Sequence, residues 1–150
     1  MKKLIDLYAY RIVGDQVEFL IFLRSKSKIY ADQWRMIGGK VHDGEAYWEA
    51  ALRELKEETG LSPEQFWTVP SINNFYEAKT DQILMIPAFA AKMDVNSKPI
   101  LDDEHQRYKW IQVDEVENYI HWPEQQRLMK LIHHIINGNQ LLPEWQIDIS

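Results

Sequence analysis

The sequence contains no cysteine, so it can form neither a disulfide nor a thiolate metal site. That suits a reducing compartment, and a cytoplasmic location is expected. It also lacks any apolar run of the about 18 residues that marks a membrane-spanning helix. Its start, "MKKLIDLYAYRIVGDQ", breaks its apolar run at Asp6 and Arg11, so no secretory signal is expected. Basic charge is short too: 17 Lys and Arg face 23 Asp and Glu, for a net charge of −6. A nonspecific nucleic-acid surface needs a basic face. Neither a nucleic-acid nor a membrane partner is therefore expected. Glycine and proline number six each, and no linker, repeat or low-complexity tract is present.

What is present fits a globular chain of 150 residues, 45% hydrophobic and 27% charged, read as one domain spanning 1–150. "LIDLYAYRIV" and "VEFLIFLR" are rich in β-branched and aromatic residues and flank the turn signal "VGDQ", which predicts two strands. "KSKIYADQ" reads as a polar loop and "WRMIGG" as one short strand. The pattern from Glu45 to Thr59 is helical. "FWTVPSINNFYEA" and "QILMIPAFAAKM" read as strands around "KTD", with an edge or a bulge expected at Pro87. "KPILDDEHQ" is a loop, "YKWIQV" a strand, and "PEQQRLMKLIHHIING" a helix with Pro123 near its start and Gly138 at its end. This order gives a mixed α/β sandwich.

The unusual stretch is "GGKVHDGEAYWEAALRELKEETGL", which carries five glutamates. On a helix, Glu54, Glu57 and Glu58 fall at i, i+3 and i+4 and share one face. Trp48, Ala51, Leu52 and Leu55 fall on the other side, free to meet a sheet. A solvated acidic face is the plain alternative. It has a cost, because like charges at this spacing destabilise a helix and the C-terminal end of the dipole disfavours anions. A hard divalent cation resolves that conflict, since Mg²⁺ takes oxygen ligands and shares its shell with substrate phosphates. The adjacent His133 and His134 point about 100° apart on a helix and lack the spacing to share one ion.

Gly39, Glu45, Arg53-Glu54-Leu55, Glu57-Glu58 and Gly60-Leu61 stand at the spacing of the Nudix box without departure, and the chain resembles the Nudix hydrolases. The resemblance implies a Nudix-type α/β/α sandwich with a mixed β-sheet, and Mg²⁺- or Mn²⁺-dependent hydrolysis of nucleoside diphosphates linked to another group. It implies that Glu54, Glu57 and Glu58 bind divalent ions, with Gly39 adding its carbonyl and Glu57 or Glu58 serving catalysis. Arg53 and Glu45 are expected to fix helix and loop as an internal ion pair, Gly60 to end the helix, Asp43-Gly44 to turn, and Lys40 to reach a phosphate. The ions would neutralise the diphosphate and lower the pKa of a bound water.

The flanks are also informative. "FLIFLRSKSKIYADQWRMIGGKV", "DDEHQRYKWIQVDEV" and "HWPEQQRLMKLIHHI" resemble the branch acting on dATP and dihydroneopterin triphosphate. By that resemblance Arg24 faces substrate phosphates, Trp34 packs, and Glu104 reaches the metals as ligand or base, while Asp102 and Asp103 point elsewhere. Phe75 and Tyr76 are candidates to stack on a base. The expected substrate is a (deoxy)nucleoside or pterin triphosphate, cleaved to monophosphate and pyrophosphate. Dinucleoside tetraphosphate hydrolases carry a similar Glu-His-x-x-Tyr-x-Trp segment, but "IGGK" stands here where they have Pro-Lys-Gly. A noncatalytic nucleotide-sensing module is the alternative of another class. Such modules usually lose box carboxylates, and none is lost here.

Overall fold

The computed structural model describes residues 2–27 and 31–150. The loop expected over 26–33 shows turns on either side of 28–30, which lie outside the described residues. β1 (Leu4–Val13) alternates as the pleat requires, with Ile5, Leu7 and Ala9 on one face and Tyr8 and Tyr10 on the other. Gly14, at φ +63°, makes the turn into β2 (Gln16–Arg24). The segment "WRMIGG" forms two strands rather than one, β3 (Trp34–Arg35) and β4 (Ile37–Lys40). β1 and β2 pair only through 10–13 and 16–19 and then diverge. A single segment bridges the fork, with β3 on β2 and β4 on the first half of β1, so it changes partner at Met36.

β5 (Gln65–Glu77) and β6 (Gln82–Lys92) form an antiparallel pair, and β6 runs parallel to β1 from Asp6↔Ala88 to Tyr10↔Lys92. The mixed sheet runs β3-β2-β1-β6-β5, with β4 on β1 and β7 (His105–Gln112) on β2. β6 is interior, so Pro87 is not on an edge strand. It sits just before the ladder to β1 begins, opposite a register break in β5 between Thr68 and Ile72. The missing N–H thus falls at a discontinuity.

α1 (Tyr47–Thr59) starts later than the periodicity predicts. Glu45 is drawn out of the helix by Arg53, and the Ala46 N–H is instead capped by the Glu49 carboxylate at 2.9 Å. Gly60 ends α1 in the left-handed region at φ +74°. Ala50, Ala51 and Leu55 bury against Ile5, Leu7 and Phe89, each Leu-sized side chain contributing about 2 kcal/mol. Trp48 was expected in that contact but is 39% exposed, because it stands in the first turn of α1, at the end of the buried stripe. On the opposite face, past the short α2 (Val116–Tyr119), α3 (Pro123–Asn137) buries Leu128, Met129, Ile132 and Ile135 against Tyr8, Tyr10 and Trp67. The result is an α/β/α sandwich.

One irregularity places the site. On β7, Trp110 faces α1 and Ile111 faces α3, so odd positions should face α3. Register with β2 holds from Phe19↔Ile111 to Leu23↔Arg107, then jumps to Arg24↔His105. Gln106 is the extra residue, a β-bulge, and its amide donates to the Arg24 carbonyl at 2.8 Å. The bulge puts His105 on the α1 face, 5.0 Å from the Phe22 ring. β7 therefore starts three residues before "YKWIQV".

Candidate active site

Arg53 holds the start of the site together. Its Nε donates to Glu45 Oε2 at 2.8 Å, Nη1 to Glu54 Oε1 at 2.9 Å and Glu57 Oε2 at 3.2 Å, and Nη2 to the Lys40 carbonyl at 2.7 Å. One planar guanidinium thus joins α1 to β4 and to the loop before the helix. Glu45 also accepts from the His42 N–H at 2.9 Å. The Arg53 hydrogen bond, followed by the His42 one, holds the Glu45 carboxyl down at about 2. Gly44, at φ +80°, supplies the turn expected of Asp43-Gly44.

Glu54 lies flat on β4. A Cβ at Gly39 would come within 2.3 Å of Glu54 Cδ and 2.4 Å of Oε1, so only glycine admits the carboxylate there. Glu58 is the unusual member, only 3% exposed, with Oε2 lacking any hydrogen-bond partner. Burial first, then Glu54, Glu104 and Asp102, push its carboxyl well above the usual carboxylate range. Glu57 is half exposed at the rim. A buried, unpartnered oxygen among like charges is a costly arrangement without a cation.

The loop before β7 closes the opposite side. Glu104 is held by its backbone, its carbonyl accepting from the Ser25 N–H at 2.8 Å, while Arg24 Nη1 meets its Oε2 at 3.4 Å. Asp102 does not point away as expected. Its Oδ1 accepts from the Glu104 N–H and faces His105 Nδ1, both at 3.1 Å. His105 Nε2 lies 3.6 Å from Glu58 Oε1. Burial lowers the His105 pKa, although Asp102 opposes the shift. Asp103 offers its carbonyl to the Ser25 hydroxyl at 2.9 Å.

The structure thus gathers Gly39, Glu54, Glu58 and Glu104, with Glu57 at the edge and Arg24 paired to Glu104. Lys40 lies apart from this group, exposed in an open cleft of about 390 Å³ with Lys2, Lys3 and Thr80. Phe75 packs edge-on against Trp122 at 5.1 Å, and the Tyr76 hydroxyl donates to Asp81 at 2.7 Å. Trp34 packs as expected, edge-on to Tyr119 at 5.7 Å. Sequence reasoning missed His105 and Asp102. The available signal was a histidine directly after the chosen glutamate, preceded at i−3 by a carboxylate.

A carboxylate-lined helix face over a mixed sheet, with a second acidic loop opposite, offers a cluster of donors of the kind that hold divalent cations. The NUDIX domain profile matches residues 6–132. The chain belongs to the Nudix family and is a Nudix hydrolase. It is 28% identical over 138 residues to the asymmetrical bis(5'-nucleosyl)-tetraphosphatase of Caenorhabditis elegans, covering 91% of this chain and 97% of that one. It is 29% identical over 115 residues to the nucleoside triphosphatase NudI of Salmonella typhimurium, covering 72% and 82%. The C. elegans Ap4A hydrolase structure, a binary complex, superposes with a TM-score of 0.77 at 24% identity, covering 92% of this chain and 99% of that one. The NUDIX domain of Shewanella oneidensis NrtR with ADP ribose gives 0.71 at 18% identity, over 89% and 86%.

Proposed function

We propose that this chain is a Mg²⁺- or Mn²⁺-dependent pyrophosphohydrolase that cleaves a nucleoside or pterin triphosphate to the monophosphate and pyrophosphate. The observation that carries the reading is the buried Glu58 oxygen with no partner, set between Glu54 and Glu104. Glu54, Glu57, Glu58 and Glu104 would hold the ions, with the Gly39 carbonyl beside them. Held there, divalent ions would neutralise the polyphosphate and lower the pKa of a water. Arg53 holds the helix carboxylates in place against β4. Arg24, beside Glu104, would offer its guanidinium to a phosphate, whereas Lys40 opens on a separate cleft and takes no part in this reading. Glu57, at the solvent rim, or Glu104 would take the proton of the attacking water.

A second reading is a dinucleoside tetraphosphate as substrate, favoured by similarity over 97% of the length of the C. elegans tetraphosphatase. The retained box carboxylates argue for turnover rather than nucleotide sensing. The test is a panel of dATP, dihydroneopterin triphosphate, diadenosine tetraphosphate, ADP-ribose and nucleotide sugars, with and without millimolar Mg²⁺. Pyrophosphate released from a triphosphate, and stopped by EDTA, is expected. Orthophosphate alone from every triphosphate would overturn the assignment.

A further inference from the structure

Glu58, Glu104 and His105 each place one donor atom so that the three lie within 4.8 Å of one another. Two are oxygen donors, and His105 adds a nitrogen. The Asp102 carboxylate can only accept, so in the neutral ring the proton sits on Nδ1, 3.1 Å from Asp102 Oδ1. Nε2 then turns its lone pair to Glu58 Oε1 at 3.6 Å, too far for a hydrogen bond. When Glu58 is ionised, two lone-pair atoms so placed repel each other, and a cation between them removes that repulsion. Two ligands of one ion, each bonded at about 2.1 Å, stand about 3.0 Å apart at a right angle and about 4.2 Å when opposed. The 3.6 Å separation lies within that range.

Two further features point to an ion. Glu58 Oε2 is buried without a partner, beside this group. The order Asp102–His105 Nδ1–Nε2 reproduces the carboxylate–histidine–metal arrangement, in which the carboxylate fixes the tautomer and turns the ring. The ring is itself held, 2% exposed in its side chain and packed on Phe22. Arg24 engages one oxygen of Glu104 and leaves the other available.

Resting on the hydrolase reading, we propose that His105 is a direct ligand, through Nε2, of one divalent ion shared with Glu58 and Glu104, and that this nitrogen makes that position favour Mn²⁺ over Mg²⁺. Imidazole suits first-row transition ions, whereas Mg²⁺ takes oxygen donors and keeps its waters. Asp102 is a positioning residue, acting through the ring and the Glu104 N–H.

The test is pulsed EPR of the Mn²⁺-loaded protein without substrate, read for ¹⁴N modulation, beside Mn²⁺ affinity from the free-ion signal and Mg²⁺ affinity by competition. Wild type is expected to show the nitrogen coupling. His105→Gln should lose it and bind Mn²⁺ at least about tenfold more weakly, while Mg²⁺ affinity changes by less than about threefold. Asp102→Asn should keep the coupling yet weaken Mn²⁺ by about tenfold. Mn²⁺ bound to wild type without ¹⁴N modulation overturns the inference and leaves the hydrolase reading intact; no Mn²⁺ binding at all overturns both. Should His105→Gln fail to fold, the wild-type spectrum still decides.

Discussion

Glu58 shows what a single carboxylate can do when its surroundings oppose its charge. Burial and three neighbouring acids favour its protonated form, so an uncharged glutamine suits the cation-free fold. Glu58→Gln is therefore expected to keep or slightly raise thermal stability without metal and to lower kcat by about 10²–10⁴. Glu104→Gln should cost at least about tenfold, and Asp103→Asn, which leaves the carbonyl to Ser25 unchanged, less than about threefold. Turnover at saturating Mg²⁺ with matched melting curves separates these outcomes, and near-wild-type kcat for Glu58→Gln would sink the assignment. The helix glutamates were legible because a spacing of three and four is a statement about one helix face. Asp102 and His105 were not. Their roles depend on which way a loop turns, and "LDDEH" alone does not specify that.

At the scale of elements, the site is a helix docked on a strand through one side chain. Arg53 meets Glu45, Glu54, Glu57 and the Lys40 carbonyl together, with a flat fork that a lysine ammonium cannot reproduce. Arg53→Lys should keep the charge and the helix yet raise the Mg²⁺ concentration needed for half-maximal rate by at least about tenfold. Unchanged metal dependence in that variant would show that α1 is seated by Ala50, Ala51 and Leu55 alone. The periodicity predicted α1 and its glycine stop but set its start at Glu45, because helical period does not register a carboxylate diverted to an arginine. "WRMIGG" read as one strand for a similar reason: its break at Met36 comes from a fork between β1 and β2, which no local pattern encodes.

At the scale of the whole molecule, the parallel pairing of β1 with β6 was invisible in sequence, since the two strands are far apart in the chain. It leaves a mark on stability. Asp6 opens that pairing, accepting from Asn73 Nδ2 at 2.9 Å, while the Tyr8 hydroxyl and Asn73 Oδ1 nearby have no partner. Burial raises the Asp6 carboxyl from 3.8 to about 6. The fold thus holds this proton more tightly than the unfolded chain does. Its contribution is fully present below pH 3.8 and is lost as pH rises through about 6, a cost of about 3 kcal/mol at neutral pH. Asp6→Asn carries no titrating charge and can donate to Asn73 Oδ1. Urea unfolding across pH 4 to 7.5 should find the variant more stable than wild type at the upper end, with their difference growing between about pH 4 and 6. A constant difference over that interval would show that Asp6 does not titrate there.

The bulge at Gln106 sets different tolerances for substitution and for length. A strand has parity: removing one residue exchanges the two faces for everything on one side of the cut. The bulge already carries one residue too many, so losing Gln106 would restore the regular alternation and leave His105 opposite Arg24, still on the α1 face, while β7 beyond Arg107 stayed in register with β2. Most side chains here can drift, as 28% identity to a relative aligned nearly end to end illustrates. Replacements that spare Asp102, Glu104 and His105 should be accepted around the bulge, and a deletion scan of β7 should tolerate the loss of Gln106 better than that of the core residue Ile111.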